Sequence, residues 1–470
     1  MKKIFLTLTL LPFLSLQAGT FSTAALIPGT AGISPNSDVT SCYDSASSEF
    51  ITIWNTPDTM QPNNDIVYTK YVSGAWTGVV GSLNTSDNVK PGTNIYLVYD
   101  ANASELLATY HDITTTMYSQ TYSGGIWTGP TAINISCVES LYTSYDAANS
   151  TIVGTCGTPT ATSTQWSGGW DAFSTPIPPG TKNALFDIFS AYNSSTQQVI
   201  ATWTDATTHI PTYAVYSAGD FLSAAAIPGA TAMTGSSVFV CYDAETDQTV
   251  ATWQGPGNLP YYATYQSNTW STPTQIPGSS ATHSNVFSAY DPTTQELVAV
   301  WTDSIDGLPR YSVYESTNFG TWSGIIQEIS GTMGVAGNEN VFLAYDNHSG
   351  HIIATWADES SQPFYAIYSA SAPPPPSPVV APQCINGNQK NNKFATQSEK
   401  YNTINWCPST STNIVKYNVY RNGILIGSVL STNPLTFQDH NRATGVEYLY
   451  SVTAVNSSNV ESAPLTITLP

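Results

Sequence analysis

One phrase occurs seven times along this chain: a Tyr, then Asp or Asn, then an aromatic residue eleven positions after the Tyr. The pairs are Tyr43-Asp44, Tyr99-Asp100, Tyr145-Asp146, Tyr192-Asn193, Tyr242-Asp243, Tyr290-Asp291 and Tyr345-Asp346. The eleventh-position residues are Trp54, Tyr110, Cys156, Trp203, Trp253, Trp301 and Trp356, so only Cys156 departs from the pattern. Successive Tyr residues lie 56, 46, 47, 50, 48 and 55 positions apart.

The sixth repeat shows what each unit builds. Val286 to Tyr290 is a short β-rich run, and Asp291 to Glu296 reads as a turn in which the Asp side chain bonds its own backbone two residues on. Leu297 to Trp301 is a second run, a Gly/Pro-containing loop follows, Tyr311 to Tyr314 is a third, and Trp322 opens a fourth. The first two runs are apolar at consecutive positions, which requires both faces of the sheet to be covered. Four short strands repeated at a period near fifty, each sheet sandwiched between neighbours, is the signature of a β-propeller. The expected fold is all-β: a seven-bladed propeller over 19–371, followed by a C-terminal β-sandwich.

The ends of the repeat region predict how such a ring closes. Internal repeats finish in a phrase such as Trp270-Ser-Thr-Pro-Thr-Gln-Ile-Pro-Gly278, whereas the seventh stops after its third strand and enters a proline tract. The missing phrase stands at the other end, as Phe21-Ser-Thr-Ala-Ala-Leu-Ile-Pro-Gly29. An N-terminal strand is therefore expected to complete the seventh blade, removing edges that invite aggregation.

Residues 1–18 read as a secretory signal peptide: Lys2 and Lys3, an apolar run from Ile4 to Leu16, and cleavage after Ala18. No apolar run is long enough to span a bilayer. The expectation is an exported protein, secreted or held at the cell surface or in a periplasm. Charge narrows its partners. Residues 19–371 carry 28 acidic and four basic residues (Lys70, Lys90, Lys182 and Arg310), a net −24. Such a surface repels phosphate backbones, so nucleic acid is excluded as a partner and anionic membranes are disfavoured.

Six Cys are present, in a setting that permits disulfides. Cys384 and Cys407 are candidates to bridge the first two strands of the C-terminal domain. Cys42 and Cys241 precede the repeat Tyr, where other repeats hold Val98, Ser144, Ala191, Ala289 and Ala344, and read as small core thiols. Whether Cys137 and Cys156, in one repeat, pair is left open. No Cys spacing suggests a metal site.

Residues 372–383 form a proline-rich linker. Beyond it, Trp406, the phrase Tyr417-Asn-Val-Tyr-Arg-Asn-Gly423 and Tyr448 and Tyr450 before Ala454-Val455-Asn456 resemble a fibronectin type III domain over 384–470. The resemblance implies a β-sandwich that serves as a spacer or adhesion module.

Within the repeats, hairpins such as Tyr262-Ala-Thr-Tyr265-Gln-Ser-Asn-Thr-Trp270 and Tyr118-Ser-Gln-Thr-Tyr122-Ser-Gly-Gly-Ile-Trp127 are similar to repeats of propeller lectins and sialidase-like propellers. The departures matter more. Sialidases carry Asp-box turns and clamp a substrate carboxylate with three Arg. The nearest phrase here, Ser316 to Trp322, lacks the Asp, and the repeat region holds only Arg310. That excludes sialidase activity. Fucose-binding propeller lectins place an Arg in each site, and these repeats lack it.

Two Asp series are candidates for function. The Asp after the repeat Tyr reads as a turn cap. A second series, two residues past the eleventh-position aromatic, comprises Asp112, Asp205, Asp303 and Asp358, with Thr56, Thr158 and Gly255 at the corresponding places in other repeats. It sits where the second strand of a repeat leads into the third, on the rim that carries the ligand in most propellers. The reading is loop capping, or an acidic ring that binds sugar hydroxyls; no cofactor is expected, and Ca2+ on that ring is the one metal considered. No Ser/His/Asp set, phosphate loop or metal motif is present. The expected function is non-catalytic binding or adhesion, by a monomer, toward a neutral glycan or a protein ligand. The alternatives are a glycoside hydrolase or lyase using rim carboxylates, and a structural surface protein.

Overall fold

The computed structural model describes residues 19–369 and 379–470, apart from short segments at 30–31, 35–36, 58–63, 79–80, 84–88, 90–93, 113, 136–139, 158–159, 172–174, 179–182, 234–235, 317–319, 332–333, 338–339, 394–397, 412–413 and 457–459. Residues 1–18, the proline tract at 372–378 and Cys137 lie outside the described residues. The chain divides into two compact units, Met1–Ser371 and Ala372–Pro470. Among the described residues the only helical element is a single 3-10 turn, Pro256–Asn258.

The first unit is a succession of seven antiparallel sheets. Sheet one runs Thr40–Asp44, Glu49–Pro57, Asn64–Val72 and Ala75–Trp76, with Gly81–Ser82 folding back on the third strand. The next six sheets open with Tyr96–Asp100, Tyr142–Asp146, Phe189–Asn193, Val238–Asp243, Phe287–Asp291 and Phe342–Asp346. Each opening strand ends on the Tyr-Asp or Tyr-Asn phrase, and its Asp or Asn then holds the turn. Asp44 Oδ1 accepts the Ala46 amide at 2.9 Å, Asn193 the Ser195 amide at 3.0 Å and Asp291 the Thr293 amide at 2.8 Å. Sheet seven takes its outer strands from the other end of the unit: Thr20–Phe21 and Ala25–Leu26 pair with Pro363–Ser369.

Second strands are buried along almost their whole length, as apolar runs covered on both faces must be. The eleventh-position Trp residues pack against the preceding sheet. Trp203 lies with Val153, Ala161 and Ile177 of sheet three, and Trp301 with Val250 and Ile276 of sheet five. Trp54, of sheet one, packs with Ala357 of sheet seven. Cys156, the odd member of that series, is buried and disulfide-bonded.

Opening strands converge on one core. Three residues before the repeat Tyr stand Tyr96, Tyr142, Phe189, Phe239, Phe287 and Phe342. Their rings meet edge-on or tilted, at 5.1 Å for Tyr96–Tyr142, 4.7 Å for Phe239–Phe287 and 4.3 Å for Phe287–Phe342. Tyr96 of sheet two also meets Phe342 of sheet seven at 6.4 Å. Such offset and edge-to-face pairs contribute beyond the area they bury. Cys42 and Cys241 lie one residue before the Tyr and are free thiols; burial pushes each up to about 12, which keeps them protonated and unreactive.

A second set of bonds links neighbouring sheets. Thr109, Thr155, Thr202 and Thr252, ten residues past the repeat Tyr, donate to the carbonyls of Leu141, Ile188, Val238 and Val286 in the following sheet, at 2.7 to 2.9 Å. Thr355 of sheet seven donates to Val39, which leads into sheet one, at 2.9 Å. Between sheets one and two, the bond comes from Thr40 to the Ile95 carbonyl at 2.5 Å.

The second unit has two sheets. One orders Ile385–Lys393, Ser398–Trp406 and Thr436–Asp439; the other orders Ile424–Leu430, Ile414–Arg421, Tyr448–Asn456 and Leu465–Leu469. Ile404 and Trp406 of the first pack with Tyr417, Val419, Tyr450 and Val452 of the second. Cys384 and Cys407 are disulfide-bonded, with Cα atoms 5.0 Å apart, and tie the start of the first strand to the end of the second.

Candidate functional site

The four Asp residues that leave the second strands are buried, 1–6% exposed, and engaged by their own loops. Asp112 Oδ1 accepts the Thr114 and Thr116 amides at 2.9 and 2.7 Å. Asp205 Oδ1 accepts the Thr207 and Thr208 amides at 3.1 and 2.7 Å. Asp358 Oδ1 accepts the Ser360 and Gln362 amides, both at 2.9 Å. Asp303 Oδ1 accepts the Ile305 amide at 2.8 Å, while Oδ2 takes the Ser280 hydroxyl and lies 3.9 Å from Arg310 Nε. Arg310 is held further by Asp306 and Glu328, each at 2.5 Å. The backbone of each Asp bridges the segment leading into its own sheet: Val89, Ala184, Thr282 and Val335 respectively. These carboxylates shape loops, and no group of three or more His, Cys, Asp or Glu able to hold a metal occurs among the described residues.

A polar series escaped the sequence reading. Five residues before each repeat Tyr, just ahead of the opening strand, stand Asp38, Asn94, Ser140, Asp187, Ser237, Asn285 and Asn340. Side chains there bond the backbone of the preceding sheet at the same position. Asn285 Oδ1 accepts Ser237 N at 2.8 Å, Asn340 Oδ1 accepts Asn285 N at 3.2 Å, and Asp38 Oδ1 accepts Asn340 N at 3.0 Å. Asn94 reaches the Tyr96 hydroxyl at 3.4 Å, and that hydroxyl donates to Asp187 at 3.0 Å. Burial pushes the Asp38 carboxyl up to about 6 against the hydrogen bonds from Asn340 and Asn94. Uniform polarity at one repeat position was the signal.

Another repeated pair joins the start of each second strand to the third strand of the following sheet. Six residues past the repeat Tyr, at the start of the second strand, stand Glu49, Glu105, Thr151, Gln198, Gln248, Glu296 and His351. The third strands carry a buried aromatic at one common register: Tyr71, Trp166, Tyr216 and Tyr368 pair with Phe50, Ile152, Val199 and Ile352, and Tyr122, Tyr265 and Tyr314 hold the same place. Three of these tyrosines donate to the polar residue of the preceding sheet: Tyr122 to Glu49 and Tyr368 to Glu296 at 2.7 Å, Tyr314 to Gln248 at 3.4 Å.

Trp166 is the exception, and an indole has no hydroxyl to offer Glu105. At that junction a cavity of about 270 Å³ opens, lined by Glu105, Ser119, Gln120, Thr121, Thr128 and Trp166 among others. Partial burial pushes the Glu105 carboxyl up, opposed by a hydrogen bond from Thr121 and reinforced by the charge of Asp100. The equivalent Glu49 differs. Burial opposes its charge too, but Tyr122 and Lys70, the latter 3.0 Å away, hold its carboxyl below the usual range. Glu105 is thus an under-partnered acceptor beside an indole and a row of hydroxyl and amide groups. The second nearby carboxylate, Asp100, is buried and caps its turn through the Asn102 and Ala103 amides. The cavity therefore has the groups to bind hydroxyl-rich molecules but lacks the carboxylate pair that glycoside hydrolysis uses.

No protein-family model matches the sequence, and no curated protein matches it. Among solved structures, the chain is similar to AofleA from Arthrobotrys oligospora, at 14% identity and TM-score 0.43 over 66% of this chain and 90% of that chain. It is similar to the Aleuria aurantia lectin, described as a six-bladed β-propeller with a novel fucose recognition mode, at 13% identity and TM-score 0.41 over 64% of this chain and 98% of that chain. It is also similar to the hydrazine synthase of Kuenenia stuttgartiensis, at 9% identity and TM-score 0.48 over 71% and 95%. A lectin and an enzyme at such scores assign no activity to this chain.

Proposed function

We propose that this protein is an exported, non-catalytic binding or adhesion protein for neutral glycans, working as a monomer outside the cytoplasm. In this reading residues 1–18 are a leader and 19–371 are a seven-bladed β-propeller closed by its N-terminal strand. Residues 372–383 are a linker, and 384–470 are a fibronectin type III-like sandwich that carries the propeller. The support for closure is the run of inter-sheet bonds from Thr and Asn side chains, which includes Thr355 to Val39 and Asn340 to Asp38. The support for the second domain is its strand order, 1-2-5 against 4-3-6-7. Asp112, Asp205, Asp303 and Asp358 act in this reading by capping the loops at the end of the second strands away from Glu105.

The observation that carries the glycan reading is the cavity between sheets two and three. A carboxylate without its usual tyrosine accepts hydroxyl hydrogens, the edge of the buried indole adds an apolar wall, and hydroxyl and amide groups fix orientation. The acidic surface selects against anionic ligands. The test is a glycan array probed with wild type, Glu105→Gln and Trp166→Tyr. Binding of neutral glycans that both variants lose supports the reading. Silence on the array together with hydrolysis of chromogenic glycosides moves the assignment to a hydrolase, and binding that survives both substitutions moves the site elsewhere.

A further inference from the structure

Glu296 opens the second strand of sheet six and is only 7% exposed. Its Oε2 accepts the Tyr368 hydroxyl at 2.7 Å and the backbone nitrogen of Gly19 at 3.2 Å. The other groups facing it do not compensate its charge. Glu315 is its register partner across the sheet, Asp291 adds a like charge, and Tyr311 lies beside Tyr368. Among the described residues no Lys, Arg or His forms an ion pair with it. A buried carboxylate in acidic surroundings is costly unless a cation joins it.

Gly19 is itself buried. A β-carbon there would stand 2.5 Å from the Tyr368 ring and 2.7 Å from the Ser369 carbonyl, so this seat accepts glycine alone. The next two residues, Thr20 and Phe21, form the strand that pairs with Ser369 and Tyr368. Gly19 is also the first residue after the expected leader cut at Ala18.

We propose that leader removal between Ala18 and Gly19 creates an α-ammonium that pairs with Glu296 and locks the N-terminal strand onto the last sheet. Hydrolysis by a leader-processing peptidase consumes one water, leaves the new carboxyl on Ala18 and the amine on Gly19, and the amine takes up one proton. The uncut chain offers Glu296 a single neutral amide hydrogen at this point. The cut chain offers a full positive charge and up to three donors. Processing and closure thereby become one event: the strand is held tightly only once the leader is gone.

The inference rests on the leader reading, not on the glycan reading, and two measurements separate its parts. The mass of the exported protein's N-terminal peptide reports the cut; a start at Gly19 supports the proposal, and any other start overturns it. Recombinant protein beginning at Gly19 is then compared with its Nα-acetylated form, which keeps an N–H but loses the charge. The free-amine form is expected to melt about 2–5 °C higher. Its α-amine is expected to react about tenfold more slowly with an acylating reagent at pH 7, as a pKa one unit above the ordinary ~7.7 requires. Both differences should vanish in Glu296→Gln. Equal melting temperatures for the two forms, or a gap that survives Glu296→Gln, overturn the ion pair even if the cut is where it is expected.

Discussion

Thr355 donates its hydroxyl to the Val39 carbonyl at 2.9 Å, across 316 residues of chain. The same bond recurs four times between sheets adjacent in sequence, so this long-range contact is a local rule applied once more at the seam. Thr355→Val removes the donor and leaves a buried carbonyl unpaired. It should destabilise the first unit by about 1–2 kcal/mol. Deleting residues 20–26 should cost much more and promote association through the exposed strand edge. Chemical denaturation and light scattering check both; a truncated protein that stays monomeric with an unchanged midpoint would sink the closure argument.

Asp38 predicts a pH signature. Its folded-state carboxyl is raised to about 6 from an ordinary 3.8, so the folded protein holds a proton that the unfolded chain releases. The stabilisation from that proton is fully present below about pH 4 and is lost as pH rises through about 6, a change on the order of 2–3 kcal/mol. The difference in unfolding free energy between wild type and Asp38→Asn should therefore shift in favour of wild type as pH falls from 7 to 4. A pH-independent difference would show that Asp38 titrates normally.

Replacing Trp166 with Tyr restores the side chain found at this register in the six other sheets. The new hydroxyl should reach Glu105 and return its carboxyl toward the range of Glu49. Stability is expected to fall by no more than about 1–2 kcal/mol while glycan binding is lost. Loss of binding accompanied by a large fall in melting temperature would instead mark Trp166 as a packing residue.

Reducing the Cys384–Cys407 bond frees a loop of 23 residues. The unfolded second unit gains chain entropy, and that unit should lose about 3 kcal/mol. Calorimetry with and without reductant should move one transition and leave that of the first unit in place, unless the latter depends on its own bonded Cys156.

Much of the architecture was legible because the repeat is written in residues with one job each. The Asp after the Tyr must cap a turn, and the eleventh-position Trp must fill an inter-sheet gap, so counting them counts sheets. The N-terminal strand was legible for the same reason: Phe21 to Gly29 copies the phrase that ends at Gly278. The candidate site was not. Asp303 and Asp358 drew notice as charged residues at a loop start, yet a carboxylate two residues before a free amide bonds that amide first. Glu105 looked ordinary because its meaning lies in a partner on the next sheet, about sixty residues on, where Trp166 replaces a Tyr. A pairwise defect of this kind becomes visible only when strands are in register. Asp38 and Asn340 were hidden by type: Asp, Asn and Ser at one position read as loop residues until their side chains are seen to bond the preceding sheet.

The pairing of Thr20 with Ser369 sets the two ends of the repeat region side by side. A few added residues could join them, and the chain could be reopened at another Asp-capped turn, such as Ala244 to Asp247, with every strand keeping its neighbours. The order in which the sheets are encoded is thus separable from their order in space. A circular permutant would keep the same strand pairings and carry its free ends wherever the new cut was made.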